Sequence, residues 1–277
     1  MWDYFMDDPD FILTPELMDM NQRIHIAGLK LIGDGSVSGR TAWMYEPYLG
    51  GEDCGIAVYS DESLEKAIDY AKKYKCQISV HAMGGRAIDR VVDRVCKEDD
   101  WMDGRVPFVR VEHLTEPTES AIEKAAAKGI AFATQPIFAF CEIETYLKNL
   151  GPERIKREYP IRNMLDAGVK LCLSTDAPAT SWAVPSDPFP NIKSAVTRIA
   201  YDGTDIGQEQ KIDIERAIML YTAEAAEVSG FQGLGRLKPG YLADFAVLSN
   251  DIFSVDPDDI DKIKVEQTYI EGERVYG

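Results

Sequence analysis

Residues 76–81 have the sequence CQISVH, a short apolar run that ends on a histidine. Before this run, residues 61–75 carry apolar side chains at helical spacing behind Ser60, a residue type that caps helices well. A second helix is predicted after the run, with one apolar face formed by Ala87, Ile88, Val91, Val92 and Val95. Residues 106–112 form the next predicted strand, which ends at His113. Strands and helices that alternate in this way predict parallel strands joined by right-handed crossovers.

The same alternation extends over most of the chain. Three further strands are predicted at residues 28–32, 130–134 and 169–174, which makes five in total. Further helices are predicted at residues 119–128, 153–167 and 213–228. Gly129 is expected to stop the first of these helices, and Pro160 to break the second. The predicted fold class is therefore α/β.

The pattern changes after Gly230. Short strands are predicted at residues 243–248, 264–270 and 274–276, joined by tight turns without intervening helices. Such a succession is typical of antiparallel strands. We therefore divide the chain into residues 1–229, an α/β unit, and residues 230–277, an antiparallel appendage. The acidic run at residues 251–261 lacks the glycine and the final glutamate of a calcium loop, so we interpret it as a solvated turn.

Composition narrows the class of protein. The 277 residues include 47 acidic and 30 basic side chains, a formal net charge of −17 that disfavours binding to a phosphate backbone. With 45% hydrophobic residues the chain has enough apolar side chains for a core, which excludes disorder over most of its length. No segment has the roughly 18 apolar residues of a membrane span. The acidic start does not resemble a signal peptide, and the 5 cysteines form no Cys-x-x-Cys pair. We expect a cytoplasmic protein with reduced thiols, and neither nucleic acid nor membrane as a partner.

Polar residues lie in or directly after each of the five strands, namely Lys30, His81, His113, Gln135 and Asp176. The carboxyl ends of parallel strands share one edge, where functional groups of α/β proteins collect. Two imidazoles and a carboxylate at one edge suit Zn²⁺ or a similar divalent ion. Such an ion lowers the pKa of its bound water to about 7 and so supplies a hydroxide nucleophile. Asp176 is predicted to act as metal ligand, general base, or both in turn.

Each of these residues also has a simpler interpretation. A histidine after a strand is often only a hydrogen-bonded loop residue, and we assign His25, which precedes its strand, a structural role. Burying the charged amine of Lys30 in an apolar strand costs free energy, unless the amine is paired with an acid such as Glu112 or Asp176, or the side chain is chemically altered. Asp176, followed by Ala-Pro, could cap the next turn.

The glycine-rich loop at residues 33–40 follows the first strand. It lacks the Gly-Lys-Ser/Thr ending of a phosphate loop, and it fits no dinucleotide fingerprint. We expect a mobile active-site loop in which Arg40 binds an anionic group of the substrate. An alternative is a doubly wound α/β protein that binds a phosphorylated ligand with this loop and holds no metal.

Six motifs in this order resemble the amidohydrolase superfamily, and more closely its YtcJ-like branch, amidohydrolase family 3. The resemblance covers about residues 20–277. The matching stretches are LKLIGDGS at residues 29–36 with RTA at 40–42, HAMGGRA at 81–87, RVEH at 110–113, TQP at 134–136, STDAP at 174–178 and PGYLADF at 239–245.

The resemblance implies a (β/α)₈ barrel with a small β-sandwich, and the hydrolysis of amide, N-acyl or N-formyl C–N bonds by a metal-bound hydroxide. Lys30 matches the fourth-strand lysine, which can be carboxylated to bridge two metal ions. His81 and His113 match the metal ligands of strands five and six, and Asp176 the eighth-strand aspartate that binds metal and handles the proton. We expect one or two Zn²⁺ or similar ions, a small amide as substrate, and Arg40 and Gln135 as substrate-binding residues.

Two features depart from the family pattern. Gly85 occupies a position that is commonly acidic, and the first-strand His-x-His pair is absent. Five parallel strands do not close an eight-stranded barrel. We therefore expect the chain to be the C-terminal part of an amidohydrolase. It would contain strands 4 to 8 of a partial TIM-type barrel, followed by strands of the β-sandwich. Alone it should bind metal weakly, turn over little substrate and self-associate, as a homo-oligomer or otherwise, through its open strand edges. The alternative is a non-catalytic regulatory or binding remnant.

Overall fold

The computed structural model describes residues 6–8, 11–22, 24–104 and 106–277. Its larger sheet has five parallel strands in the order β1-β2-β3-β4-β5. These strands are β1 (Gly28–Ile32), β2 (Gln77–Ala82), β3 (Val109–His113), β4 (Ala131–Thr134) and β5 (Lys170–Leu173). The five predicted strands and the α/β class are therefore confirmed. The β2 strand extends one residue beyond its predicted end and includes His81.

Neighbouring strands are in continuous register. One row across the sheet pairs Leu31 with Val80, Val80 with Val111, Val111 with Phe132, and Phe132 with Leu171. All five of these side chains are buried. A doubly wound sheet reverses its strand order at a switch point, and the described strands follow chain order without a reversal. The doubly wound alternative is therefore wrong.

The two faces of the sheet differ in polarity. The next row pairs Lys30 with Ser79 and Ser79 with Arg110, and these side chains line a broad cavity of about 610 Å³. Because side chains alternate between the faces of a strand, this polar row lies opposite the buried row of Leu31 and Val80. One face therefore packs into the core, while the other presents polar groups to open space.

Helices follow the first three strands where the sequence predicts them. These helices are α1 (Asp61–Tyr74), α2 (Gly85–Val95) and α3 (Glu119–Lys128). The Ser60 hydroxyl accepts a hydrogen bond from the Ser63 backbone N–H at 3.1 Å, as the predicted N-cap requires. The third helix ends at Gly129, whose φ of 75° is left-handed, so the predicted C-terminal stop is confirmed.

The remaining helices are less regular. They are α4 (Ile137–Cys141), α5 (Ile143–Leu150), α6 (Ile161–Asp166), α7 (Phe189–Thr197), α8 (Ile214–Tyr221) and α9 (Ala223–Ser229). The sequence predictions missed α4, α5 and α7. Helices α4 and α7 bury most of their positions and therefore show no amphipathic period. The break at Pro160 is confirmed, with only a short 3-10 helix before it.

The single helix predicted at residues 213–228 is wrong, since the chain forms two helices there. Thr222 separates them with φ −122° and ψ −86°, outside the helical region. Its hydroxyl donates to the Ile218 carbonyl oxygen at 2.7 Å. Such bonding to the preceding turn bends helices, and it carries no signal in the hydrophobic pattern.

The C-terminal strands form a separate three-stranded antiparallel sheet, as predicted. Its strands are β6 (Phe245–Leu248), β7 (Val265–Ile270) and β8 (Glu273–Tyr276). The intervening residues Ile252, Ile260 and Ile263 belong to the same buried cluster as Phe189 and Ile192 of α7. The two parts therefore share apolar contacts, and the boundary at residues 229/230 stays a prediction.

We predict that Ile78→Ala lowers the free energy of unfolding by about 2–5 kcal/mol, the usual cost of removing a large aliphatic side chain from a core. Ile78 lies in β2 and is fully buried. The matched change Ile270→Ala removes the same atoms from a side chain that is 41% exposed, so it should cost far less. Urea denaturation measures both values, and equal losses would contradict the assigned core.

Candidate active site

Two histidine rings meet at the carboxyl edge of the sheet. His81 is the penultimate residue of β2, and His113 is the last residue of β3. Strict alternation would place His113 on the same face as Val111, away from His81. Its backbone is instead left-handed, with φ 77°, and its ring centroid lies 4.3 Å from that of His81. The irregular strand end therefore brings together the two imidazoles that the sequence singled out.

A cavity of about 320 Å³ adjoins the two rings. His81, His113 and Asp176 line it together, so three of the predicted site residues share one cavity. Ser36 and Ser38 also line it, so part of the glycine-rich loop lies beside the two histidines, and its role as a mobile active-site loop stays a prediction. The cavity is large enough for a small organic molecule.

Hydrogen bonding orients the His81 ring. Its Nε2 lies 2.8 Å from the Gly35 carbonyl oxygen, which only accepts hydrogen bonds. Nε2 therefore carries the proton, and the lone pair is on Nδ1. Burial lowers the pKa of His81, which keeps the ring neutral. A neutral imidazole whose other nitrogen donates to a backbone carbonyl is the usual arrangement of a metal-binding histidine.

His113 is more deeply buried, with 5% of its surface exposed. Its Nδ1 has no hydrogen-bond partner among the described residues. Burial, with His81 and Lys30 nearby, holds the pKa of His113 well below its ordinary value. An unpartnered buried nitrogen on a neutral ring is costly, and a metal ion or ligand would satisfy it.

Lys30 is not neutralised by an ion pair. Glu112 accepts hydrogen bonds from Arg110 Nε and from the Ser79 hydroxyl, each at 2.6 Å. Within the described residues, no acidic side chain lies within 4 Å of the Lys30 amine, so the ion-pair interpretation does not hold. Burial lowers the pKa of Lys30, partly offset by Glu112. Burial also raises the pKa of Asp176, with Lys30 acting in the opposite direction.

The two predicted substrate-binding residues differ in position. Gln135 is buried beside Ser174, to whose hydroxyl its Nε2 donates at 2.8 Å, and its Oε1 has no described partner. The Arg40 guanidinium lies over the Tyr48 ring, 5.4 Å from its centroid. None of the described residues that line the 320 Å³ cavity is an arginine. Both assignments stay predictions.

The cavity is lined by side chains of the types that bind divalent metal ions. Two neutral imidazoles and a carboxylate on one cavity are ligands that Zn²⁺ accepts. In the described part of the chain, however, no three His, Cys, Asp or Glu side chains are grouped closely enough to hold an ion. The histidine pair is therefore the part of the predicted metal set that the fold brings into contact.

Sequence reasoning missed Asp34, which ties the site loops together. Its carboxylate accepts hydrogen bonds from the backbone N–H groups of Trp43, Met83 and Gly84 at 2.8–3.0 Å. The same carboxylate lies 3.5 Å from His81 Nε2. Burial raises the pKa of Asp34 to about 6. An aspartate between two glycines after an apolar strand was the available signal.

Glu142 and Tyr146 were also missed, although both line the cavity. Glu142 occupies the break between α4 and α5, and its carboxylate accepts hydrogen bonds from the Ser38 and Ser181 hydroxyls. The Tyr146 hydroxyl lies 2.7 Å from the Tyr159 hydroxyl. Because the sequence predicted no helix in this segment, it gave neither residue a place near the site.

The model of the amidohydrolase family matches residues 8–276. The chain belongs to this family. It is 30% identical over 258 residues to the amidohydrolase YtcJ of Bacillus subtilis, which covers 91% of this chain and 47% of that protein. It is 26% identical over 223 residues to the N-substituted formamide deformylase of Arthrobacter pascens, covering 79% of this chain and 40% of that enzyme.

A solved structure supports the same grouping. The chain resembles an uncharacterized metal-dependent hydrolase from Pyrococcus horikoshii with a TM-score of 0.75 and 25% identity. The match covers 93% of this chain and 51% of the other. The amidohydrolase chain therefore spans about half the length of the relatives it matches.

Across the described residues, no helix is long and apolar enough to cross a membrane.

We predict that His113 makes the stability of the amidohydrolase chain depend on pH. The pKa of His113 is lowered in the folded chain, so below about pH 6.5 the unfolded chain binds more protons. The free energy of unfolding should therefore decrease as the pH falls below 6.5, by up to about 1.4 kcal/mol per pH unit for this one histidine. The variant His113→Gln should lose this part of the slope in urea denaturation between pH 5 and pH 7.

Thr134→Val is the matched control. It removes the hydrogen bond from the Thr134 hydroxyl to the His113 carbonyl oxygen, at 2.8 Å, without removing a titrating group. This variant should be less stable than the original chain at every pH but should keep its slope. If His113→Gln retained the full pH dependence, His113 would not be buried as a neutral ring.

Proposed function

We propose that the chain forms the later part of a metal-dependent amidohydrolase that hydrolyses non-peptide C–N bonds of small amides, N-acyl or N-formyl compounds. The observation that carries the proposal is the contact of His81 and His113, two neutral imidazoles, on one cavity with Asp176. Membership of the amidohydrolase family and the likeness to a metal-dependent hydrolase support it. The formamide deformylase relative supports the choice of bond.

The five parallel strands are proposed to be strands 4 to 8 of a (β/α)₈ barrel. The polar row of Lys30, Ser79 and Arg110 supports this assignment, because parallel sheets usually have both faces covered. A polar face on open space is what the inner wall of an incomplete barrel would present. The strands β6 to β8 would then belong to a β-sandwich, and the edges of β1 and β5 would allow self-association or a homo-oligomer.

Lys30, His81, His113 and Asp176 would hold one or two Zn²⁺ or similar ions. A bound divalent ion would acidify its water and polarise the substrate carbonyl. The lowered pKa of Lys30 increases the fraction of neutral amine, the form that carboxylation requires. Asp176, whose pKa burial raises, would accept a proton from the attacking water and return it to the leaving amine. Gln135 would bind the substrate amide from beside His113.

The alternative of a non-catalytic binding remnant is not favoured. It rests on the missing His-x-His pair, whereas the family match extends over nearly the whole chain. A remnant has no need to keep two imidazoles and an aspartate on one cavity, with the buried Nδ1 of His113 lacking a partner among the described residues, because such an arrangement costs stability.

We predict that the chain hydrolyses an N-substituted formamide slowly when Zn²⁺ is added, and that Asp176→Asn lowers the rate by about 10²–10⁴-fold, the usual contribution of a positioned acid–base group. Release of the amine, followed by fluorescence, measures the rate. The matched control Asp187→Asn lies in the same loop region and should keep the rate, since the Asp187 carboxylate accepts a hydrogen bond from the Phe189 backbone N–H at 3.0 Å and is not among the described residues that line the 320 Å³ cavity.

Two results would count against this account. Equal rates for the original chain and Asp176→Asn would remove Asp176 from the mechanism. Tightly bound, stoichiometric zinc together with fast, steady turnover by this chain alone would contradict its assignment as part of a barrel.

A further inference from the structure

The cavity beside the two histidines has an unbalanced charge. Of the described residues that line it, two are acidic, Glu142 and Asp176, and none is a lysine or an arginine. Met83, Phe138 and Tyr146 contribute apolar and aromatic surface to the same wall. A molecule in this cavity would therefore meet carboxylates and aromatic rings.

Glu142 is a carboxylate without a cationic partner. Its two oxygens accept hydrogen bonds from Ser38 and Ser181, the latter at 2.6 Å, and both donors are neutral hydroxyls. In the part of the chain that the structure describes, no lysine, arginine or histidine nitrogen lies within 4 Å of it. A cation stabilises a partly buried carboxylate more than a neutral donor does, because it makes shorter and stronger hydrogen bonds.

A second observation points to a ligand in this cavity. His113 lines it, is 5% exposed, and has a ring nitrogen without a hydrogen-bond partner among the described residues. Its ring centroid is 6.0 Å from that of Phe138. The cavity thus joins the predicted reaction site to an aromatic and acidic compartment.

We propose that this compartment binds a protonated amine of the substrate, so that the substrate is a small amide that also carries a cationic group. This inference rests on the proposed function and names the substrate class of the same site. The ammonium group would bind Glu142, and the rings of Phe138 and Tyr146 would add cation–π attraction. The net charge of −17 also attracts cations from a distance.

The placement of Arg40 agrees with this assignment. The sequence predicted that Arg40 would bind an anionic group, but its guanidinium lies over the Tyr48 ring, and the 320 Å³ cavity has no arginine among its described lining residues. An anionic group in the cavity would face the Glu142 carboxylate, and none of the described lining residues is a lysine or an arginine that could compensate its charge. Anionic amides should therefore bind more weakly than cationic ones.

The test compares three amides of similar length by ligand-observed NMR, with a chelator present so that neither metal nor turnover is required. The probes are N-(4-aminobutyl)acetamide, which is cationic, N-pentylacetamide, which is neutral, and 4-acetamidobutanoate, which is anionic. We expect the original chain to bind the cation about tenfold more tightly than the neutral amide, and the anion more weakly still.

Glu142→Gln removes the charge but keeps oxygen and N–H groups for Ser38 and Ser181. We expect it to bind the cation about tenfold more weakly while leaving the affinity for the neutral amide unchanged. Glu144→Gln is the matched control, since Glu144 lies on α5 but is exposed and bonds the Tyr201 hydroxyl instead of lining the cavity. It should bind all three probes as the original chain does.

Equal binding of the cationic and neutral amides, unchanged cation binding by Glu142→Gln, or no binding of any probe would overturn the inference. Absence of hydrolysis by the original chain, or equal rates for it and Asp176→Asn, would leave these affinities as they are. The failure of the substrate assignment is therefore distinguishable from the failure of the proposed reaction.

Discussion

Parallel pairing of five strands in chain order is the constraint on which the rest of the structure depends. Each strand pairs with the one before it, so the carboxyl ends of all five lie along one edge. Residues as distant in sequence as His81 and Asp176 line one cavity for this reason. The buried row from Leu31 to Leu171 stabilises the pairing, and the opposite face carries the polar row of Lys30, Ser79 and Arg110.

Departures from regular structure complete the site. The left-handed backbone of His113 turns its ring toward His81, and Asp176 also has a positive φ, 57°. Such conformations cost about 1–3 kcal/mol each and persist only where the surroundings hold them. Asp34 joins two of the neighbouring segments, because its carboxylate accepts hydrogen bonds from the loop after β1 and from the residues after β2. In that loop Gly35 approaches Thr41 too closely for a Cβ atom, whose distance to Oγ1 would be 2.0 Å.

The regular parts of the fold were predictable from the sequence, and the irregular parts were not. Alternating apolar runs and helical periods located the five strands and the first three helices, and Ser60 and Gly129 marked helix ends correctly. Helices α4 and α7 were missed because nearly all of their side chains are buried, which removes the polar face that reveals a helix. The strand ends identified His81 and His113, but only the backbone geometry shows that their rings touch. Glu142 lay in an unpredicted segment, and the contact of Arg40 with Tyr48 depends on tertiary packing.

We propose that the two histidines act as one ligand pair at the edge of the sheet. Zn²⁺ affinity, measured by competition with a chromogenic chelator for the original chain, His81→Gln, His113→Gln and the double variant, tests it most directly. We predict weak Zn²⁺ binding by the original chain, which either single variant abolishes almost as fully as the double variant, because ligands of one ion are strongly coupled. Affinities that fall independently and additively, or that do not change, would contradict it.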